Sequence, residues 1–150
     1  MKVSLKATYG IMAALDLVLQ NGAVPVQAKA IAKRQAIPFR FLEQILHGMK
    51  KAGLVESVRG AQGGYTLGKK PADVSLAEIV EALDGPLSPG TSRRSAAQRL
   101  RGQLKPDALL ADVWERVHQA ELSVMGTVTL KELAERQQQL DHKRTLMYHI

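Results

Sequence analysis

Arg40, Glu43, Gln44 and His47 fall within the run PFRFLEQILHGMKKAG. Their spacing sets them side by side on one face of a helix. As hydrogen-bonding groups they match the edges of DNA base pairs. Arginine forms a bidentate pair with guanine, a carboxylate accepts from the cytosine amino group, and a carboxamide pairs with adenine, each good contact discriminating by about 1–3 kcal/mol. Arg40, Glu43 and Gln44 are therefore candidate base readers, with His47 a weaker one a turn further on. A solvated surface acid would look similar to Glu43. However, a lone acid within basic surroundings weakens attraction for a polyanion, which favours the base-reading role.

The elements that must hold this row in place lie on either side of it. Leu42, Ile45, Leu46 and Met49 recur at i, i+3, i+4 and i+7, an apolar stripe on the opposite face of a helix over 38–52. Pro38 suits the first turn of that helix and Gly53 its stop. Before it, 26–35 reads as a short helix with Ala28, Ile31 and Ala32 inward and Lys29, Lys33 and Arg34 outward. Short helix, tight turn and second helix make a helix-turn-helix. After it, Leu54–Val58 alternates as a strand, 59–64 is a glycine-rich turn, and Tyr65–Leu67 returns. This hairpin is the wing of a winged helix. Arg59 stands at its base, where a wing reaching the minor groove inserts an arginine.

A first helix over 4–20 shows Leu5, Tyr9, Met12, Leu15 or Asp16, and Leu19 near one stripe, and Asn21-Gly22 ends it. Ser75-Leu76-Ala77-Glu78 is a capping box, with Val74 and Ile79 as its hydrophobic staple. The helix it opens runs to about Leu83 and presents Leu76, Ile79, Val80 and Leu83 as its apolar face.

Net charge is +7 and unevenly spread. Residues 1–70 hold eleven Lys/Arg against three acids, 71–106 five against four, and 107–150 five against seven. A basic front half joined to a neutral or acidic back half points to a polyanion-binding part followed by a part with another task. Lys2, Lys6, Tyr9, Lys29, Lys33, Lys50 and Lys51 are candidate phosphate contacts. So are the backbone N–H groups at Gly60 and Gly64, which position a protein on DNA without specifying sequence. The glycines are not a nucleotide-binding P-loop, because no Gly-Lys-Ser/Thr follows and strands succeed them.

The back half is organised differently. Residues 86–106 contain Pro, Gly and Ser, five basic residues and no acid, as a loop or linker would. From Pro106 to about Val124, Leu110, Val113, Trp114, Val117, Ala120 and Val124 trace a seam close to a heptad, which predicts pairing with a second copy of the helix. Thr129-Leu130-Lys131-Glu132 is another capping box, with Val128 and Leu133 as staple, opening a last helix to about Leu140. The remaining tail, 141–150, is expected to fray. The organisation is thus a mainly α chain with a small β-hairpin wing: a winged helix-turn-helix DNA-binding domain over 1–85, a basic loop over 86–106, a dimerisation helix and C-terminal helix over 107–140, and a tail.

No enzyme site is apparent. The four histidines are far apart and none stands beside a nucleophile motif. Glu115 and His118 share a helix face, but no further ligands accompany them. There is no cysteine, hence no disulfide and no thiolate metal site, as suits a reducing cytoplasm. Apolar runs are too short to span a bilayer, and the lysine-flanked start reads as an amphipathic helix, interrupted by Asp16, rather than a signal peptide. No metal, cofactor or membrane association is expected, and the expected location is the cytoplasm.

The segments KATYGIMAALDL, IAKRQAIPFRFLEQIL, KKAGLVESVRGAQGGYTLGK and SLAEIVEALDGPL resemble the Rrf-two family of winged-helix transcriptional regulators. ADVWERV and TLKEL extend the resemblance more loosely into the back half. The resemblance implies a bacterial, cytoplasmic homodimer on a partly palindromic operator. It also implies that the helix near 107–125 pairs with its twin, and that Glu43, Gln44 and Arg59 occupy base-reading positions. This sequence departs from a cluster-binding member of the family in having Arg40 in place of a serine. It also has Gln62 in the wing where glycine is usual. Such members carry three cysteines in the loop after the fourth helix and a further ligand three positions before the tryptophan. Here the loop is basic and that position is Ala111, so an iron–sulfur cluster ligated in the family manner is excluded. Cysteine-poor members answering to a metabolite or partner protein supply the alternative for sensing. A winged interaction module without specific DNA binding is the competing reading for the whole chain.

Overall fold

The computed structural model describes residues 2–21, 23–87 and 107–149. The basic loop expected over 86–106 therefore lies, from residue 88 on, outside the described residues. Helix α1 spans Leu5–Leu19, α2 Ala28–Gln35, α3 Phe39–Lys51, α4 Leu76–Asp84, α5 Asp107–Thr127 and α6 Leu130–Tyr148. Strands β1 (Val55–Val58) and β2 (Gly64–Leu67) pair antiparallel between α3 and α4, with Val55 opposite Leu67 and Val58 opposite Gly64.

Helix α1 starts where Ser4 caps it, its side chain accepting from the Ala7 N–H at 3.0 Å. Its buried face is Ala7, Gly10, Ala13, Ala14 and Leu17, not the stripe expected through Leu5 and Tyr9. Leu5 is 61% exposed. Small residues win because neighbouring helices come close. A Cβ on Gly10 would stand 2.3 Å from Leu83 Cδ1, and one on Gly48 3.1 Å from Leu83 Cδ2. Leu83 of α4 thus fills the space left by a glycine on α1 and a glycine on α3.

Val26 lies outside helix α2. It exchanges two hydrogen bonds with Tyr65, N to O at 2.9 Å and O from N at 2.8 Å, a single antiparallel rung on the outer edge of β2. The close approach explains Gly64: its φ is +150°, and a Cβ there would meet the Val26 carbonyl oxygen at 2.4 Å. Pro38 is the N-cap of α3 rather than a residue of its first turn. Helix α3 ends in a Schellman turn: Gly53 (φ +75°) donates to the Lys50 carbonyl and Leu54 to that of Met49.

Helix α4 has the full capping box, Ser75 with Glu78. At α6 only half of the second box forms. Thr129 accepts from the Glu132 N–H at 3.3 Å, while the Glu132 carboxylate turns to Arg136 instead. The starts of α4 and α6 are tied by a β-bridge, in which Leu76 donates to the Val128 carbonyl and Leu130 to that of Val74, both at 3.0 Å. Leu130 is fully buried in the same cluster as Leu17, Leu42, Ile45 and Ile79. The expected fraying after Leu140 does not occur. Helix α6 continues to Tyr148, with Gln137 donating to Asp141 at 3.0 Å on its exposed face.

Candidate nucleic-acid interface

Helix α3 has two distinct faces. Leu42, Ile45, Leu46 and Met49 are each fully buried. Burying side chains of this kind is worth about 1.5–3 kcal/mol apiece, so the helix is firmly seated. Arg40, Glu43, Gln44 and His47 are all exposed. Among the described residues none of these four side chains has a hydrogen-bond or ion-pair partner, and neither has that of Arg59, which is exposed where β1 passes into the turn at the tip of the hairpin rather than at its base as expected. Some exposed charges elsewhere find partners, Lys69 with Glu78 at 2.8 Å, Lys131 with Glu135 at 3.9 Å, and Arg136 with Glu132, while others among the described residues, such as Lys29, Lys33 and Glu56, are unpaired as well.

The helix-turn-helix is braced from beneath. Asp16 of α1 is 2% exposed. Its carboxylate accepts from Arg34 Nε at 2.9 Å, Arg34 Nη2 at 2.7 Å and Gln35 Nε2 at 2.9 Å. These bonds raise the Arg34 guanidinium above its ordinary value. Arg34, expected to face outward, is half-exposed but bent back to this pair. The turn between α2 and α3 uses Ala36 in the left-handed region (φ 52°) and buries Ile37. Tyr9, a candidate phosphate contact, packs its half-buried ring edge-on to Phe41, centroids 5.7 Å apart, joining α1 to α3.

The remaining phosphate candidates are distributed over the surface. Lys2, Lys29, Lys33, Lys50, Lys51 and Gly60 are exposed, and Lys6 and Gly64 are half-buried. Gly60 has φ +111° with open space around it. Gly64 is packed on Val26, and the strand alternation directs its N–H into the β1–β2 ladder. Lys6, Lys29 and Arg40 are each the second residue of a helix, and none of α1, α2 or α3 has an acid in its first turn. A cation at a helix N-terminus is unfavourable by about 0.3–1 kcal/mol. Helices α4 and α6 have Glu78 and Glu132 in their first turns. The inversion on the first three helices suits an anionic partner at those ends.

Sequence reasoning missed Ser57. Its hydroxyl accepts from Lys50 Nζ at 2.6 Å, linking the end of α3 to β1. The alternation Val55, Ser57 was the available signal, because it sets Ser57 on the face of β1 turned toward α3.

The expected seam on α5 is uncovered. Leu110, Val113, Trp114, Val117 and Val124 are 44–60% exposed. Among the described residues no group of three His, Cys, Asp or Glu side chains is placed to hold a metal ion, and no helix is long and apolar enough to cross a membrane.

Residues 3–136 match the Rrf2 family, described as an iron-dependent transcriptional regulator. The HTH-type transcriptional regulator CymR of Bacillus subtilis is 33% identical over 134 residues, 89% of this chain and 90% of that protein. The HTH-type transcriptional regulator IscR of Xenorhabdus nematophila is 34% identical over 143 residues, 94% and 84%. The structure of CymR, the global cysteine regulator of B. subtilis, superposes with a TM-score of 0.76 at 31% identity, covering 91% of this chain and 98% of that one. That of T. potens IscR gives 0.72 at 34%, covering 91% and 88%. The iron in the family's description does not fit a thiolate-bound cluster here, since the sequence has no cysteine to supply the ligands. With its winged helix-turn-helix and its match over most of its length, the chain belongs to the Rrf2 family of transcriptional regulators and is not an enzyme.

Proposed function

We propose that the protein is a homodimeric, sequence-specific DNA-binding repressor that reads a partly palindromic operator. The observation that carries this is the unpaired row Arg40, Glu43, Gln44 and His47 on a helix whose opposite face is fully buried. A helix held this firmly, with none of its polar row spent on its own protein, is prepared for an external hydrogen-bonding surface. The major groove admits one helix and displays a distinct pattern for each base pair. Arg40 pairs with guanine, Glu43 accepts from cytosine, Gln44 pairs with adenine, and Arg59 of the wing enters the minor groove. The cationic starts of α1, α2 and α3 supply sequence-independent attraction.

Dimerisation rests on the uncovered seam of α5. Leu110, Val117 and Val124 repeat every seven residues, with Val113 and Ala120 between them, and such a seam is buried when two helices pair. A two-fold dimer reads two half-sites about 10 bp apart or a multiple of that. Repression follows if the bound dimer occludes the operator. Sensing without cysteine falls to a metabolite or partner protein, and the setting is the bacterial cytoplasm. Selection of purified protein against random duplexes is the test. A near-palindrome is expected, and recovery of no enriched sequence would overturn the reading.

A further inference from the structure

Lys50 extends the exposed row of α3. It follows Glu43 by seven residues and His47 by three, so it closes the line that begins at Arg40. Its ammonium is fixed at 2.6 Å from the Ser57 hydroxyl oxygen. That arrangement differs from the other bonded lysines. Lys69 has its charge compensated by Glu78 at 2.8 Å. Lys50 is held by a neutral group, so its charge stays whole while its long side chain is steered. Two ammonium protons remain unused, and the Ser57 hydroxyl, accepting from Lys50, still has its own proton to donate. Both groups are exposed. Arg59, also without a partner, lies two residues beyond Ser57.

We propose that Lys50 and Ser57 form a clamp for a single backbone phosphate, the one lying between the major groove read by α3 and the minor groove reached by Arg59. The proposal rests on the DNA-reading function above and adds a residue, Ser57, and a division of labour. Lys50 supplies the charge. Ser57 is a positioning residue for Lys50 and a second donor to the same phosphate. Because one partner is on α3 and the other on β1, the clamp sets the angle between helix and wing at the point where the strand of DNA passes from one groove to the next. The tight Gly53 turn keeps the two elements within reach of one another.

The test uses the full-length protein and its selected operator, with affinity measured over a range of salt. Lys50→Met is expected to weaken binding and to reduce the slope of log K against log salt by about 1.8, that is about 0.9 for the one phosphate lost in each half-site of the dimer. Ser57→Ala is expected to weaken binding about tenfold per half-site, and so about a hundredfold for the dimer, as for a lost hydrogen bond to a charged group in each, and Ser57→Thr to restore it. In the Lys50→Met background, Ser57→Ala should cost less than it does in the wild type, because only its own bond to the phosphate is then left to lose. An operator with a neutral methylphosphonate at this position in each half-site should largely abolish the difference between wild type and both variants. A wild-type salt slope in Lys50→Met, or wild-type affinity in Ser57→Ala, overturns the clamp. Loss of a preferred sequence by the wild-type protein would instead overturn the DNA-reading function itself. Both residues are exposed, and unchanged thermal midpoints would exclude misfolding as the cause.

Discussion

Asp16 and Arg34 form a two-point ion pair across the base of the helix-turn-helix, Nε to Oδ1 at 2.9 Å and Nη2 to Oδ2 at 2.7 Å. Asp16 is 2% exposed while the Arg34 side chain is 38% exposed, so the two ends are not equivalent. Removing Arg34 leaves a buried carboxylate with only Gln35 to satisfy it. Arg34→Ala is expected to destabilise by about 3 kcal/mol, the lower end for a broken buried pair because the arginine end is screened by water. Chemical denaturation measures this. Arg34→Met/Asp16→Leu, which removes both charges, should recover much of the loss.

The Gly10–Leu83 contact predicts an overpacking effect. Gly10→Ala drives a methyl to 2.3 Å from Leu83 Cδ1, a clash expected to cost about 1–3 kcal/mol. Adding Leu83→Val should relieve part of it. A double-mutant cycle in urea that returned strictly additive effects would contradict the contact.

Glu78 gives the acid sensitivity a sign. The hydrogen bond from Lys69 lowers its carboxyl below the ordinary range, and the Ser75 N–H of the capping box adds to this. A depressed carboxyl contributes stability that is complete above its unfolded value, about pH 4.3, and is lost as pH falls through the folded one. Glu78→Gln should therefore flatten the acid limb of the stability–pH curve. The check is denaturation at a series of pH values, and an unchanged limb would count against the assignment.

Arg59→Ala is expected to weaken operator binding and to relax preference for A/T-rich flanks, since a narrow minor groove attracts an inserted arginine. Repeating the selection with this variant reads the effect directly; an unaltered site profile would refute the minor-groove role.

Val117, 44% exposed in the single chain, lies mid-way along the α5 seam. Val117→Glu should leave the fold intact while placing like charges opposite one another in a dimer. Sedimentation is expected to change from dimer to monomer. A variant that still sediments as a dimer would place the interface elsewhere.

Much of the fold was legible because its signals are local. The α3 stripe, the Ser75 capping box and the Gly53 stop each depend on residues within a turn or two of one another. What escaped was non-local. On α1 the large residues Leu5 and Tyr9 point to one face, but apart from Leu17 the apolar residues buried are small, and the proximity of Leu83 explains why glycine lies inside. The Val26 rung depends on a strand reached forty residues later. The length of α6 was underestimated because its final turns gain little from core burial and are held by their own exposed pairs. In the candidate interface, the exposed row of α3 was readable from periodicity. For Ser57 the alternation with Val55 gives only its face of β1, and its bond to Lys50 depends on where that side chain goes.

The bridge between Ser75 and Thr129 makes α5 a lever. Its 21 residues extend about 30 Å at 1.5 Å per residue, and its last turn leads directly into two backbone hydrogen bonds at the start of α4. Helix α4 in turn wedges Leu83 between Gly10 and Gly48, the latter on α3 itself. A rotation of about 5° at the bridge sweeps the far end of a helix of that length through about 3 Å. Conversely, were α4 to turn with the bridge as one body, a displacement of that size at the distal end would reach the underside of α3 as a small turn of a wedge. The gearing runs from coarse motion at one end to fine adjustment at the other.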